Sequence, residues 1–86
     1  MYEVFFSDAF YKKVRKIARK DPQQTNRIRK QLKILSKNPD HPSLRLHKLS
    51  GRNNWSVSVD RSVRIIINIE DNIIYCTDIG THDEVY

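Results

Sequence analysis

The chain contains little of what defines several common classes of small protein. Its single cysteine, Cys76, cannot form an internal disulfide, which favours a reduced, cytoplasmic protein. No apolar run approaches the roughly 20 residues of a membrane span, and Glu3 stands where a signal peptide would carry basic residues. There is also no metal-ligand spacing, no glycine-rich phosphate loop and no nucleophile motif. The sequence therefore predicts no membrane segment, no metal and no cofactor.

Only two glycines and three prolines occur among the 86 residues, and they form no linker. The length leaves room for one core, so we expect a single domain over residues 1–86. With 38% hydrophobic and 30% charged residues, the composition is compatible with a globular fold. A chain this short buries a modest fraction of its surface, and its margin of stability should be small.

Positive charge is concentrated in the first part of the chain. Residues 1–52 hold 14 Lys/Arg against 4 Asp/Glu, whereas residues 53–86 hold 2 against 6. A block of positive charge favours a polyanionic partner, because binding releases counterions from the phosphates. It is also compatible with an acidic protein partner, or with a solvated face that has no partner.

Two helices are predicted in the basic part. Ser7 stands where a helix N-cap belongs, and apolar residues follow at helical spacing until about residue 19. Asp21 and Pro22 end this helix, because the residue before a proline avoids the α region. A second apolar stripe predicts a helix over residues 23–37, which the following Asn-Pro pair ends.

The remaining segments favour strands. Aromatic and β-branched residues predict a strand over residues 2–6, and alternating patterns predict strands over 55–59, 63–69 and 73–79. Residues 44–49 form another short strand-like stretch, in which neither parity is consistently apolar, so we expect a bulge or partial burial there. The order β-α-α-β-β-β-β predicts an α+β fold: an N-terminal strand, a two-helix hairpin and a four-stranded antiparallel meander.

The sheet face opposite the helices, called the uncovered face below, is predicted to be polar. Alternation places Ser56, Ser58 and Arg64 on it, with the loop near Gly51 and the C-terminal tail (residues 80–86) at its ends. An arginine within an isoleucine-rich strand is typical of a functional surface. The uncovered face is therefore the predicted substrate surface.

Several features together resemble the RelE/ParE toxin superfamily. Besides the order of elements, these are the segment LHKLSG at 46–51, the turn DRSVR at 60–64 and the ending GTHDEVY at 80–86. The ending is similar to the Gly-Thr-His-to-aromatic tail of the YafQ branch, whose members are ribosome-dependent endoribonucleases. The resemblance covers the whole chain and implies a RelE-like fold.

The resemblance implies the toxin of a type II toxin–antitoxin system, which cleaves mRNA in the A site of the 70S ribosome. The expected reaction is a metal-independent transesterification, in which the ribose 2′-OH attacks the adjacent phosphorus and expels the 5′-oxygen. It needs a base, an acid and cations around the phosphate. The implied partners are this mRNA and a cognate antitoxin. An acidic or amphipathic segment of the antitoxin is expected to fold onto the basic surface and to lie over the uncovered face of the sheet.

His82 and Arg64 are the first candidates for this chemistry. Histidine titrates near neutral pH, and His82 stands where the YafQ-like tail places a catalytic histidine. The alternative for His82 is a surface position in a frayed C-terminus. Arg64 matches an arginine of the family, and its planar fork suits phosphate oxygens; the alternative is a cross-strand ion pair with Asp60 or Asp78.

Three further residues are catalytic candidates through the resemblance. His47 and Lys48 lie in the segment where family members place active-site residues, so either could hold the scissile phosphate or act as the second acid–base group. A structural role remains open for His47. Tyr86 could stack on a base or orient the phosphate, or only anchor the tail. The side chains expected to contact the RNA backbone are Arg45, Arg52 and Arg61.

The sequence departs from parts of the family pattern. The lysine-rich active site of RelE itself is absent. The carboxylate that some branches use as the base has no clear counterpart either, with Asp60, Asp83 and Glu84 as the residues that could be offered for it. Two other functions stay open: a ParE-like toxin that inhibits DNA gyrase by binding, and an inactive member that only binds antitoxin. His82 together with Tyr86 separates these readings, since an inhibitor that only binds has no chemical need for an imidazole there.

Overall fold

The computed structural model describes residues 1–51 and 53–86, which follow the predicted order of elements. The helices and strands are β1 (Glu3–Phe6), α1 (Asp8–Lys20), α2 (Pro22–Lys37), β2 (His47–Lys48), β3 (Asn54–Ser58), β4 (Val63–Glu70), β5 (Ile73–Thr81) and α3 (His82–Val85). The predicted α+β fold is confirmed. Two short elements were not predicted, namely the 3-10 turn Pro42–Leu44 and the terminal helix α3.

The strands form one sheet in the order β1-β5-β4-β3-β2. The pairs β2–β3, β3–β4 and β4–β5 are antiparallel, which confirms the predicted meander. The sheet as a whole is mixed, because β1 lies parallel to β5. Helices α1 and α2 carry the chain across one sheet face, from the edge strand β1 to the opposite edge strand β2.

Capping residues fix the ends of the two long helices. The Ser7 hydroxyl accepts a hydrogen bond from the Phe10 amide at 3.0 Å, as the N-cap prediction requires. Asp21 ends α1 and begins α2: its amide donates to the Ile17 carbonyl, and its carboxylate accepts from the Gln23 amide. Pro22 is the first residue of α2, a position where its missing N–H costs nothing.

The core lies between the sheet and the two long helices. Its buried hydrophobic residues are Phe10, Ile28, Leu35, Leu44, Val57, Val59, Ile65, Ile67, Ile74, Cys76 and Ile79. A register shift between Ile66 and Ile67 leaves no β4 residue directly opposite Thr77, so that Cys76 and Ile79 can both point into this core. Burial raises the pKa of the Cys76 thiol to about 12, so the thiol stays protonated and unreactive.

Two buried glutamines tie α2 to the loops beside the uncovered face. Gln31 Nε2 donates to the Ser58 carbonyl at 2.8 Å and to the Ser43 carbonyl at 3.2 Å. Gln24 Nε2 donates to the Asp60 carboxylate at 2.8 Å. The helix thereby fixes both the turn before β2 and the turn between β3 and β4, which flank the candidate site.

The segment 44–49 differs from the prediction. Only His47 and Lys48 form a strand, while Leu44 ends the 3-10 turn and is fully buried. Arg45 follows with a left-handed φ of +47°, which resets the direction of the side chains. The mixed parity of this segment therefore comes from a turn, and the pairing of β2 with β3 contains no bulge. Leu46 and Leu49 are partly buried, which confirms the other alternative.

Candidate active site

Arg64 is held on the uncovered face by hydrogen bonds to neighbouring segments. Its Nε donates to the Ser56 hydroxyl at 2.9 Å, and its Nη2 donates to the Arg45 carbonyl at 2.8 Å and the Ser56 carbonyl at 3.2 Å. The ion pair considered above does not form. Asp78 instead pairs with Lys13 Nζ at 2.6 Å, and Asp60 is engaged within its own turn.

This arrangement orients the guanidinium and leaves part of it free. Three of its five N–H bonds are used, and Nη1 makes no hydrogen bond to any residue in the described ranges. The charge of Arg64 also lacks a carboxylate partner within those ranges. An immobilised cation with two unused donors is suited to bind an anionic oxygen.

The C-terminal tail brings a histidine and a tyrosine to Arg64. His82 and Tyr86 are four residues apart across α3, so they share one face of the helix, and the Tyr86 amide donates to the His82 carbonyl at 3.0 Å. Their rings meet edge to face, with centroids 4.2 Å apart. The Tyr86 hydroxyl is hydrogen-bonded to the Ser56 hydroxyl. A continuous path thus leads from Arg64 through Ser56 and Tyr86 to His82.

Glu84 and Gly80 hold α3 against the sheet. The Glu84 carboxylate accepts a hydrogen bond from the Thr81 amide at 2.8 Å. Bonds from the Thr81 backbone and side chain lower the pKa of Glu84, which keeps it ionised as a helix cap. A Cβ at Gly80 would meet side-chain atoms of Glu84 and Val85 at 3.0–3.1 Å, so a side chain there would require those two residues to shift by a few tenths of an ångström. Glu84 therefore has a structural role in the tail.

The strand pairing separates His47 from Lys48. His47 lies opposite Ser56, and cross-strand partners share a face, which places the exposed imidazole beside Ser56 on the uncovered face. Lys48 lies opposite Trp55, and its ammonium sits 4.6 Å from the centroid of the Trp55 ring. The structure thus brings His47 to the site and directs Lys48 to the other face.

The predicted RNA-contacting arginines are placed differently from one another. Arg45 is exposed, and its carbonyl belongs to the Arg64 cradle. Arg61 is exposed in the turn between β3 and β4, at the end of the sheet where β5 leads into α3. Arg52 lies outside the described residues.

Comparison with known proteins rests on structure alone. No protein-family model matches the sequence, and no curated protein matches it significantly. Among solved structures, YafQ from Escherichia coli strain BL21(DE3) superposes with a TM-score of 0.81 at 20% identity, covering 100% of this chain and 99% of that chain. YafQ in the E. coli DinJ–YafQ toxin–antitoxin complex gives 0.82 at 20% identity, covering 99% and 97%. The YoeB/ParE toxin from Agrobacterium tumefaciens gives 0.80 at 12% identity, covering 93% and 98%.

The chain has the fold of the YafQ and YoeB toxins. This confirms the RelE-like fold that the motifs predicted.

In this YafQ-like fold, a basic groove lies between α1 and the ends of β4 and β5, with a volume of about 890 Å³. Its floor is apolar, formed by Ile17, Val63 and Ile79, and its cations are Lys13, Lys16, Arg19 and Lys20. Thr81 and Glu84 line the groove as well. The groove and its cations therefore lie next to α3, the helix that carries His82. No group of three potential metal ligands occurs among the described residues, and none of their helices is long and apolar enough to cross a membrane.

Ser56 is the site residue that sequence reasoning missed. Alternation placed Ser56 and Ser58 on the uncovered face as polar surface, but Ser56 is fully buried and Ser58 is 8% exposed. Ser56 lies beneath Arg64 and Tyr86, whereas the Ser58 hydroxyl turns to the Asp60 carbonyl at 2.7 Å. Nothing in the local pattern distinguishes the two serines. The Thr81-x-x-Glu84 spacing, by contrast, is a capping signal that could have predicted α3.

Proposed function

We propose that the protein is the toxin of a type II toxin–antitoxin system and a metal-independent endoribonuclease that cleaves mRNA in the ribosomal A site. The observation that carries the proposal is the preorganised Arg64 guanidinium, which has two unused donors and stands near His47 and His82 on the uncovered face. The shared fold with YafQ and YoeB supports it. Action on the ribosome would place the protein in the cytoplasm.

The proposed reaction gives Arg64, His47 and His82 one role each. Arg64 Nη1 binds the non-bridging oxygens of the scissile phosphate and stabilises the charge that develops on them. Of His47 and His82, one removes the 2′-OH proton and the other protonates the leaving 5′-oxygen. The 2′-oxygen forms a bond to phosphorus as the bond to the 5′-oxygen breaks, which leaves a 2′,3′-cyclic phosphate and a 5′-hydroxyl.

The basic surfaces supply the remaining interactions. Exposed arginines such as Arg45 and Arg61 would contact RNA backbone, as would Arg52, and such contacts weaken as salt rises. The inhibitor would be a cognate antitoxin with an acidic or amphipathic segment that docks on the basic surface. The complex of YafQ with DinJ, which has this fold in a toxin–antitoxin pair, supports that part of the proposal.

The test is in-vitro translation of a defined mRNA, with breaks mapped by primer extension. Wild-type protein should cut within A-site codons, and His82→Asn should cut about a hundredfold more slowly, the lower end of what a general acid or base contributes. The matched control is His41→Asn, since His41 is an exposed histidine outside the site and asparagine keeps an acceptor at that cap. The control should cut like wild type.

Each other outcome rejects part of the proposal. Undiminished cutting by His82→Asn removes that histidine from the chemistry. Absence of cutting by wild type, together with inhibited supercoiling by DNA gyrase, replaces the ribonuclease with a ParE-type inhibitor. Absence of both activities leaves a protein that only binds antitoxin.

A further inference from the structure

Ser56 connects the Arg64 guanidinium to the C-terminal tail. It is fully buried, although its hydroxyl contacts two groups that would face the substrate. The hydroxyl accepts from Arg64 Nε at 2.9 Å and is hydrogen-bonded to the Tyr86 hydroxyl. The Ser56 carbonyl accepts a second bond from Arg64, at 3.2 Å. One small residue therefore touches both an arginine on β4 and the last residue of the chain.

The direction of the hydrogen bonds follows from counting protons. A serine hydroxyl has one proton and two acceptor positions, and Arg64 Nε can only donate to it. The Ser56 proton then needs an acceptor, and Tyr86 Oη is the acceptor in contact with it. If Tyr86 donated instead, Ser56 would hold a buried proton with no partner, which is unfavourable. The order is thus Arg64 to Ser56 to Tyr86.

This order leaves the Tyr86 proton available. Tyr86 is 48% exposed, and its hydroxyl accepts from Ser56, so its own O–H can donate to a ligand. Each donor in the chain is polarised by the one before it, and the chain begins at a cation. Tyr86 is therefore a stronger donor than an isolated phenol.

We propose that Ser56 is a positioning residue, which orients Arg64 and directs the Tyr86 O–H toward a phosphate oxygen of the bound RNA. This inference rests on the proposed ribonuclease function and adds two roles to it. Ser56 acts only through its neighbours, whereas Tyr86 donates to the substrate. An aspartate at position 56 would orient Arg64 as well, but it would neutralise the charge that the phosphate needs.

A double-mutant cycle on the cleavage reaction tests the hydrogen-bond chain from Arg64 through Ser56 to Tyr86. Ser56→Ala and Tyr86→Phe should each lower the single-turnover rate about tenfold, with the ribosome concentration at half-maximal rate changed less than twofold, because the lost contact forms mainly in the transition state. The double variant should be no slower than the slower single variant, since both substitutions break one path. Multiplying effects, or a wild-type rate for Ser56→Ala, would overturn the inference.

The matched control is Ser58→Ala, which removes a buried hydroxyl from the same strand that takes no part in the hydrogen-bond chain. Its hydroxyl donates to the Asp60 carbonyl, so its cleavage rate should stay within twofold of wild type. Ser56→Thr keeps the hydroxyl and should recover most of the rate lost in Ser56→Ala. A threonine variant that is folded yet as slow as the alanine variant would contradict a role for the hydroxyl.

A second readout does not depend on cleavage. The Arg64 Nε–H should give a distinct, slowly exchanging signal in ¹⁵N NMR, which Ser56→Ala removes and Ser56→Thr restores. An unchanged signal in Ser56→Ala would refute the hydrogen-bond chain even if the wild type cuts RNA. If the wild type cuts no RNA while the signal responds as described, the ribonuclease function is refuted but the hydrogen-bond chain from Arg64 through Ser56 is supported.

Discussion

Replacing Arg64 with lysine should separate the geometry of this residue from its charge. The guanidinium uses Nε and Nη2 to fix its orientation and retains Nη1 for a ligand. A lysine has three N–H bonds on one nitrogen, so an ammonium that satisfies the Arg45 and Ser56 carbonyls has little left for the phosphate. Loss of one preorganised transition-state donor costs about 2.7–4 kcal/mol, which corresponds to a cleavage rate roughly 10²–10³ times slower.

The same variant should keep its affinity and most of its stability. Net charge is unchanged, so ribosome binding should remain within about threefold at constant salt. The Ser56 hydroxyl loses the hydrogen bond from Arg64 Nε, so we expect a loss of about 1 kcal/mol. That corresponds to a decrease in melting temperature of roughly 4–8 °C for a domain of this size.

The assay is single-turnover cleavage with toxin in excess, alongside cosedimentation with ribosomes and thermal melting by circular dichroism. Arg29→Lys is the control, because Arg29 is exposed on α2, away from the uncovered face, and makes no hydrogen bond or ion pair within the described ranges. An Arg64→Lys rate within threefold of wild type would refute the reasoning. Equal losses of binding and rate would show that Arg64 contributes to ground-state affinity instead.

Two further predictions concern the frame around the site. Gln31→Leu deprives the Ser43 and Ser58 carbonyls of a buried donor and should lower the free energy of unfolding by about 2–4 kcal/mol in urea titrations; a loss below about 1 kcal/mol would contradict this. Burial alone would raise the pKa of Asp60, but hydrogen bonds from Gln24 and from the amides of Val63 and Ser62 outweigh it and lower that pKa below 3.8. The ionised carboxylate therefore stabilises the fold above that pH, and the gain is lost as pH falls through the folded-state pKa. Asp60→Asn should be less stable than wild type at pH 7, and the difference should shrink as the pH falls below 3.8, so a difference independent of pH would count against this assignment.

The main elements of the fold could be predicted because their signals are local. Ser7 and the apolar stripes determine α1 and α2, and alternation determines β3 to β5. The parallel pairing of β1 with β5 could not be predicted, since the periodicity of a strand carries no information about its neighbour. Apolar periodicity could not predict α3, because four residues contain too little of it, and only the Thr81-x-x-Glu84 capping signal marked the helix.

The site was predictable in part for the same reason. Arg64 stands out chemically in an isoleucine-rich strand, whereas Ser56 and Ser58 look alike until the tail returns over only one of them. His47 and Lys48 could not be assigned to faces, because β2 has two residues and the turn before it hides the parity. Long-range packing decides these positions, and it has no local signature.

The site depends on segments that differ in how firmly they are held. Arg64 belongs to a central strand with two antiparallel neighbours, whereas His82 begins a four-residue helix with no buried residue and Tyr86 directly follows that helix. Few buried contacts mean a low free energy of local opening, so the tail detaches at a smaller perturbation than the sheet needs to unfold. Detachment would separate the imidazole of His82 from the guanidinium and break the Ser56–Tyr86 bond, while Arg64 keeps its bonds to Ser56 and Arg45. Activity should therefore follow the docking of seven residues at the C-terminus more closely than the global stability of the fold.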